Sequence, residues 1–131
     1  MSLTDSILRI IRTRGAEDAL GELVQPLMAS EGLEPVRDAL LAILRDDSHA
    51  EAWRGVMEII WESFVGRCEL PADEVIALLC FRFDGNGNDA DENLAWSITS
   101  NLKHRGYLGE YDPRHDPPIR ARIEALKAGQ R

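Results

Sequence analysis

Apolar residues recur at helical spacing along almost the whole chain, and alternation with a period of two is confined to short stretches. The pattern predicts an all-α protein of about seven helices. Its clearest run is Trp53, Val56, Met57, Ile60, Trp61 and Phe64, which falls on one helical face. Ser48 and Glu51 stand ahead of it at capping-box spacing, so a helix is expected over about 49–66. A preceding helix begins near Pro35, turns Val36, Leu40, Leu41, Ile43 and Leu44 inward, and ends at Asp46-Asp47. Together these two form a helical hairpin.

A second hairpin follows. Pro71, Asp73 and Glu74 suit a helix start, and Val75, Leu78, Leu79 and Phe83 form its inward face. Its partner opens at Asp89 with Glu92 three residues on, carries Leu94, Ala95, Ile98 and Leu102, and stops at Gly106. Leu3, Ile7, Leu8 and Ile11 predict a first helix, and Leu20, Leu23, Val24, Leu27 and Met28 a second, with Gly15 between them. Pro26 is expected to kink or restart that second helix. A last helix starts at Asp116-Pro117-Pro118 and carries Ile119, Ile123 and Leu126.

The two hairpins repeat. Pro35 and Pro71 lie 36 residues apart, whereas Val56 and Leu94, Ile60 and Ile98, and Phe64 and Leu102 lie 38 apart, so the second loop holds two more residues. Helix pairs at this period build α-solenoids. The run Leu40-Leu41-Ala42-Ile43-Leu44 before Asp46-Asp47-Ser48, then Arg54 and Val56, resembles the HEAT-repeat family. It is echoed by Val75 to Leu79, Asp84 and Leu94-Ala95, over roughly residues 35–105. The resemblance implies a HEAT-like superhelix; a compact helical bundle is the alternative. The 131 residues are read as a single all-α domain.

Charge adds a surface to this outline. The chain carries a formal net charge of −8, which disfavours general nucleic-acid or anionic-membrane binding. Residues 15–102 hold 18 acids against 5 basic residues, while both ends are net positive. In a stack of paired helices the within-hairpin loops share one edge. Asp46, Asp47, Asp84, Asp89, Asp91 and Glu92 are therefore expected to form an acidic ridge that docks a basic protein partner. Ordinary solvation and helix capping account for acids at such positions equally well. No apolar run reaches the length of a membrane span, and Asp5 stands where a signal peptide is basic, so a cytoplasmic protein is expected.

The candidate chemistry is sparse. Asp84, Asn86 and Asn88 begin like a calcium loop, but Asp89 occupies the position that loop reserves for glycine and Ala95 the one it reserves for glutamate. His49, His104 and His115 are scattered, and Cys68 and Cys80 match no metal spacing, so no metal or cofactor is expected. Ser63, Ser97, Thr99 and Ser100 fall in helix interiors, away from any nucleophile turn. Trp53, Trp61 and Trp96 read as core, with Trp96 the most exposed. The 104–116 segment, with Tyr107, Glu110, Tyr111, Asp112, His115 and Asp116, is the alternative site of a small enzyme or a metal- or ligand-binding protein.

The first expectation is therefore a non-catalytic interaction module, of which a toxin-neutralising immunity-type protein is one form. A small enzyme using the 104–116 segment and a self-associating structural repeat are the alternatives.

Overall fold

A computed structural model describes residues 2–65, 73–83, 89–103 and 112–129. Within them every regular element is helical. Helix α1 spans Leu3–Thr13; α2 is one continuous run of Ala16–Ala19, Leu20–Val24 and Gln25–Glu31; α3 spans Glu34–Arg45. A 3-10 turn, Asp47–Ala52, leads into α4, which joins Trp53–Ile60 to Trp61–Val65. Helix α5 is Asp73–Phe83, α6 is Asp89–Lys103, and the short 3-10 turn Pro113–His115 precedes α7, Pro117–Ala128. These are the seven helices expected from the periodicity. The chain divides into two compact units, residues 1–67 and 68–131, and each is described by itself. The reading of 1–131 as a single domain stays an expectation beside this division.

In the first unit, Ser2 caps α1 through its hydroxyl, which accepts from the Asp5 backbone N–H at 3.1 Å, and the Asp5 carboxylate returns to the Ser2 backbone. This is a reciprocal capping box. Helix α1 ends where Arg14 and Gly15 both donate to the carbonyl of Ile10. Gly15 has φ +106°, a left-handed conformation that L side chains resist, and the chain turns there into α2. Helix α1 packs on the start of α2 and on α3; the start of α2 also packs on α4. Ile7, Val24, Val36, Leu40, Ile43, Leu44, Val56, Met57 and Ile60 are essentially inaccessible to solvent. Each large aliphatic side chain buried in this way contributes about 1.5–3 kcal/mol of transfer free energy. Every inward residue expected for α3 is buried.

Pro26 does not end its helix. Residues 20–24 form a π turn, with the Gln25 backbone N–H donating to the Leu20 carbonyl five residues back. Val24 and Gln25 keep helical dihedrals, and the α-helical spacing resumes with proline in the first turn of the new segment. A proline ring in an uninterrupted α-helix crowds the carbonyl four residues earlier. The wider turn before Pro26 changes that spacing, so the expected break takes the form of a π-to-α transition.

The entrance to α4 differs from the expected capping box. Ser48 is not the cap. The Asp46 carboxylate accepts from the Ser48 backbone N–H at 2.9 Å and from the Ser48 hydroxyl at 2.7 Å, and the 3-10 turn follows. His49 is non-helical, with φ −104° and ψ 19°, so the α-helix begins only at Trp53 and Glu51 is free to engage another element. Asp46 wins the role because a charged acceptor two residues before the N–H makes a stronger cap than the serine hydroxyl.

In the second unit, α5 packs on α7 and α6, and the 113–115 turn touches all three. Its core includes Ile76, Ala77, Cys80, Ile119 and Ile123. Val75, Leu78, Leu79 and Phe83 are buried as the spacing predicted. Ile76 and Ala77 are buried too, so α5 is covered on more than its expected face. In α6, Ala95 and Ile98 are buried and Leu94 is half-buried. Asp112 accepts from the Arg114 backbone N–H at 2.9 Å, capping the turn that feeds α7.

Candidate functional site

The six acids of the expected ridge are divided between the two units. Asp46 and Asp47 belong to the first, and both are exposed at the junction of α3 and the 3-10 turn. Asp89, Asp91 and Glu92 belong to the opening turn of α6 in the second, where their side chains lie outside the described residues; Asp84 lies outside them altogether. The Asp84–Asp89 loop considered for calcium falls there too, apart from Asp89 at the start of α6. Asp46 is committed to structure by its two bonds to Ser48 and by His49, whose Nε2 lies 3.4 Å from the second carboxylate oxygen.

That histidine belongs to a cluster the charge pattern did not foresee. Arg12, in the last turn of α1, donates from Nη2 to His49 Nδ1 at 3.1 Å and from Nε to Glu51. The order Glu51, Arg12, His49, Asp46 thus ties α1 to the connection between α3 and α4, across 37 residues between Arg12 and His49. Hydrogen bonding from its own backbone N–H, and next from Arg12, holds the Glu51 carboxyl below the usual glutamate range. Asp46, His49 and Glu51 are sequence neighbours, but nothing in local spacing signals that Arg12, from a separate element, joins them.

Ion pairing is uneven over the first unit. Arg14, at the end of α1, reaches Glu22 with Nη1 and Nη2, and its Nε stands 4.0 Å from Asp18. The hydrogen bond to Glu22 raises the Arg14 pKa further above its ordinary value. Arg37 lies beside Asp38, and Arg54 beside Glu58. Glu17, Glu31, Glu34 and Glu62 are exposed and make no ion pair among the described residues. Four arginines thus stand beside acids, Arg9 is exposed with no ion pair among the described residues, and these four acids are likewise without one there.

Asp112, His115 and Asp116 are the described members of the alternative 104–116 site with candidate chemistry, Asp116 standing half-buried at the N-cap of α7. Asp112 is engaged by the Arg114 backbone and by Arg114 Nε at 3.2 Å, and His115 is exposed. Tyr107, Glu110 and Tyr111 lie outside the described residues. Among the described residues no three His, Cys, Asp or Glu side chains gather as a metal site would require, and no helix is long and apolar enough to cross a membrane. Cys80 is buried; Cys68 lies outside the described residues.

Trp53 and Trp61 are half-buried on α4, and Trp96 is half-buried on α6. Ser63 is 3% exposed, and its hydroxyl has no hydrogen-bond partner among the described residues. By contrast, Thr99 donates its hydroxyl to the carbonyls of Ala95 and Trp96, both at 3.0 Å. No family model, no curated protein and no solved structure matches this chain.

Proposed function

We propose that this protein is a non-catalytic interaction module whose acidic surface docks a basic protein partner. The observation that carries the reading is the uneven pairing of the first unit: among the described residues Glu17, Glu31, Glu34 and Glu62 face solvent with no ion pair, whereas Arg12, Arg14, Arg37 and Arg54 stand beside acids and Arg9 is exposed and does not. A surface of this kind projects negative potential, which speeds encounter with a cationic partner and makes the complex sensitive to salt. A toxin-neutralising protein that covers the cationic face of a nuclease is one form the module would take.

Asp47 belongs to the proposed docking surface, whereas Asp46 serves mainly to cap the 3-10 turn. The test is affinity capture from the native lysate with elution by a salt gradient, comparing the wild-type protein with an Asp47→Lys/Glu31→Lys/Glu34→Lys variant. A basic protein eluted by salt from the wild type and absent from the folded variant supports the reading. Equal recovery from both removes the acidic surface from the account.

A further inference from the structure

The geometry points to His49 as a proton-operated latch between α1 and the 3-10 turn at Asp47–Ala52. An arginine side chain has only donors, so Nη2 of Arg12, 3.1 Å from His49 Nδ1, requires an unprotonated acceptor there. The ring proton of neutral His49 then sits on Nε2, the nitrogen 3.4 Å from Asp46 Oδ2. Both ring nitrogens are matched by their neighbours, and those neighbours are themselves held: Arg12 by Glu51, and Asp46 by the Ser48 N–H and hydroxyl. In this state Glu51, Arg12, His49 and Asp46 form one connected chain from the turn to α1 and back.

A second proton on the ring goes to Nδ1 and places an N–H against the guanidinium. The Arg12–His49 bond is lost, and two like charges face each other across the same gap. The four groups re-sort into separate pairs, Arg12 with Glu51 and His49 with Asp46. The other charged side chains on the turn and on the helices packed against it are Asp47, Asp5 and Arg9 on α1, Glu34, Arg37, Asp38 and Arg45 on α3, and Arg54, Glu58 and Glu62 on α4, with Arg37 beside Asp38 and Arg54 beside Glu58. Of all these groups, Arg12 and Asp46 are the ones placed against the ring nitrogens. Acidification therefore loosens the tie between α1 and the turn that carries Asp47 without removing either ion pair.

The test is a pH titration of the 15N-labelled full chain by NMR, reading the imidazole nitrogens of His49 and the guanidinium Nη signals of Arg12 at low temperature. A latch gives the Nε2–H tautomer at high pH and resolved Arg12 Nη signals that are lost with the midpoint of the His49 ring. His49→Asn offers an amide acceptor close to the Nδ1 position and cannot titrate there, so its Arg12 signals stay resolved across the same range. An Nδ1–H tautomer at high pH, wild-type Arg12 signals unchanged through the His49 titration, or the same loss in His49→Asn overturns the proposal.

Discussion

Trp53 Nε1 donates to the backbone carbonyl of Ile43 at 3.1 Å, so the first residue of α4 adds a second donor to an oxygen in the last turn of α3 that also accepts from the Asp46 N–H at 3.3 Å. The last four carbonyls of a helix have no partner within it, and a side-chain donor from the next element is one way to satisfy them. The indole bond fixes the hairpin in the same stroke. Trp53→Phe keeps the apolar ring and removes the donor, and is expected to destabilise the first unit by about 0.5–1.5 kcal/mol in denaturant titration. An unchanged midpoint would assign the indole to packing alone.

Gly55 marks a close approach. A Cβ built on it would stand 3.0 Å from Ile11 Cγ2 on α1 and 3.5 Å from Ala16 Cβ on α2. Gly55→Val is expected to cost about 1–3 kcal/mol through overpacking, measured as a fall in the unfolding midpoint. In the Ile11→Ala background, where the opposing Cγ2 is gone, the same substitution should cost less, and a double-mutant cycle reads the coupling.

Ser63 carries the opposite prediction. Its hydroxyl is buried in the π turn of α4 with no partner among the described residues, so Ser63→Ala removes a desolvated polar group without opening a large space. Ser63→Ala is expected to be neutral or to stabilise by up to about 1 kcal/mol. Clear destabilisation on chemical unfolding would show that the hydroxyl is engaged.

The Glu51 carboxyl has a lowered pKa, first through its own backbone N–H and next through Arg12. A carboxyl that titrates lower in the folded than in the unfolded state binds fewer protons when folded. Its contribution is therefore present above the unfolded value and lost as pH falls through the folded one. Unfolding midpoints should decline through this acidic window in the wild type and decline less in Glu51→Gln. Parallel pH profiles for the two proteins would remove Glu51 from the acid response.

The outline of the fold was legible because burial follows spacing. Val36, Leu40, Leu41, Ile43 and Leu44 all lie inside α3, and Ile119 and Ile123 inside α7, as their period required. Local competition was harder to read. The Ser48–Glu51 spacing fits a capping box, but Asp46 reaches the Ser48 N–H first and Glu51 is drawn to Arg12. Pro26 announces a disturbance without saying whether the helix will stop or widen. The contacts of Arg12 with His49 and Glu51 are tertiary and have no signature in the helical period. Of the acidic residues, their number and position were plain in the chain; which serve as caps and which face solvent unpaired emerged only from the fold.

The central claim is that exposed surface acids dock a basic partner, and its most direct measurement is the affinity of the captured partner against salt concentration for wild-type protein and for Asp47→Lys/Glu31→Lys/Glu34→Lys. The account predicts an affinity that falls steeply with salt in the wild type, and weaker, flatter binding in the folded variant. The same affinity and the same salt slope in both proteins would contradict it.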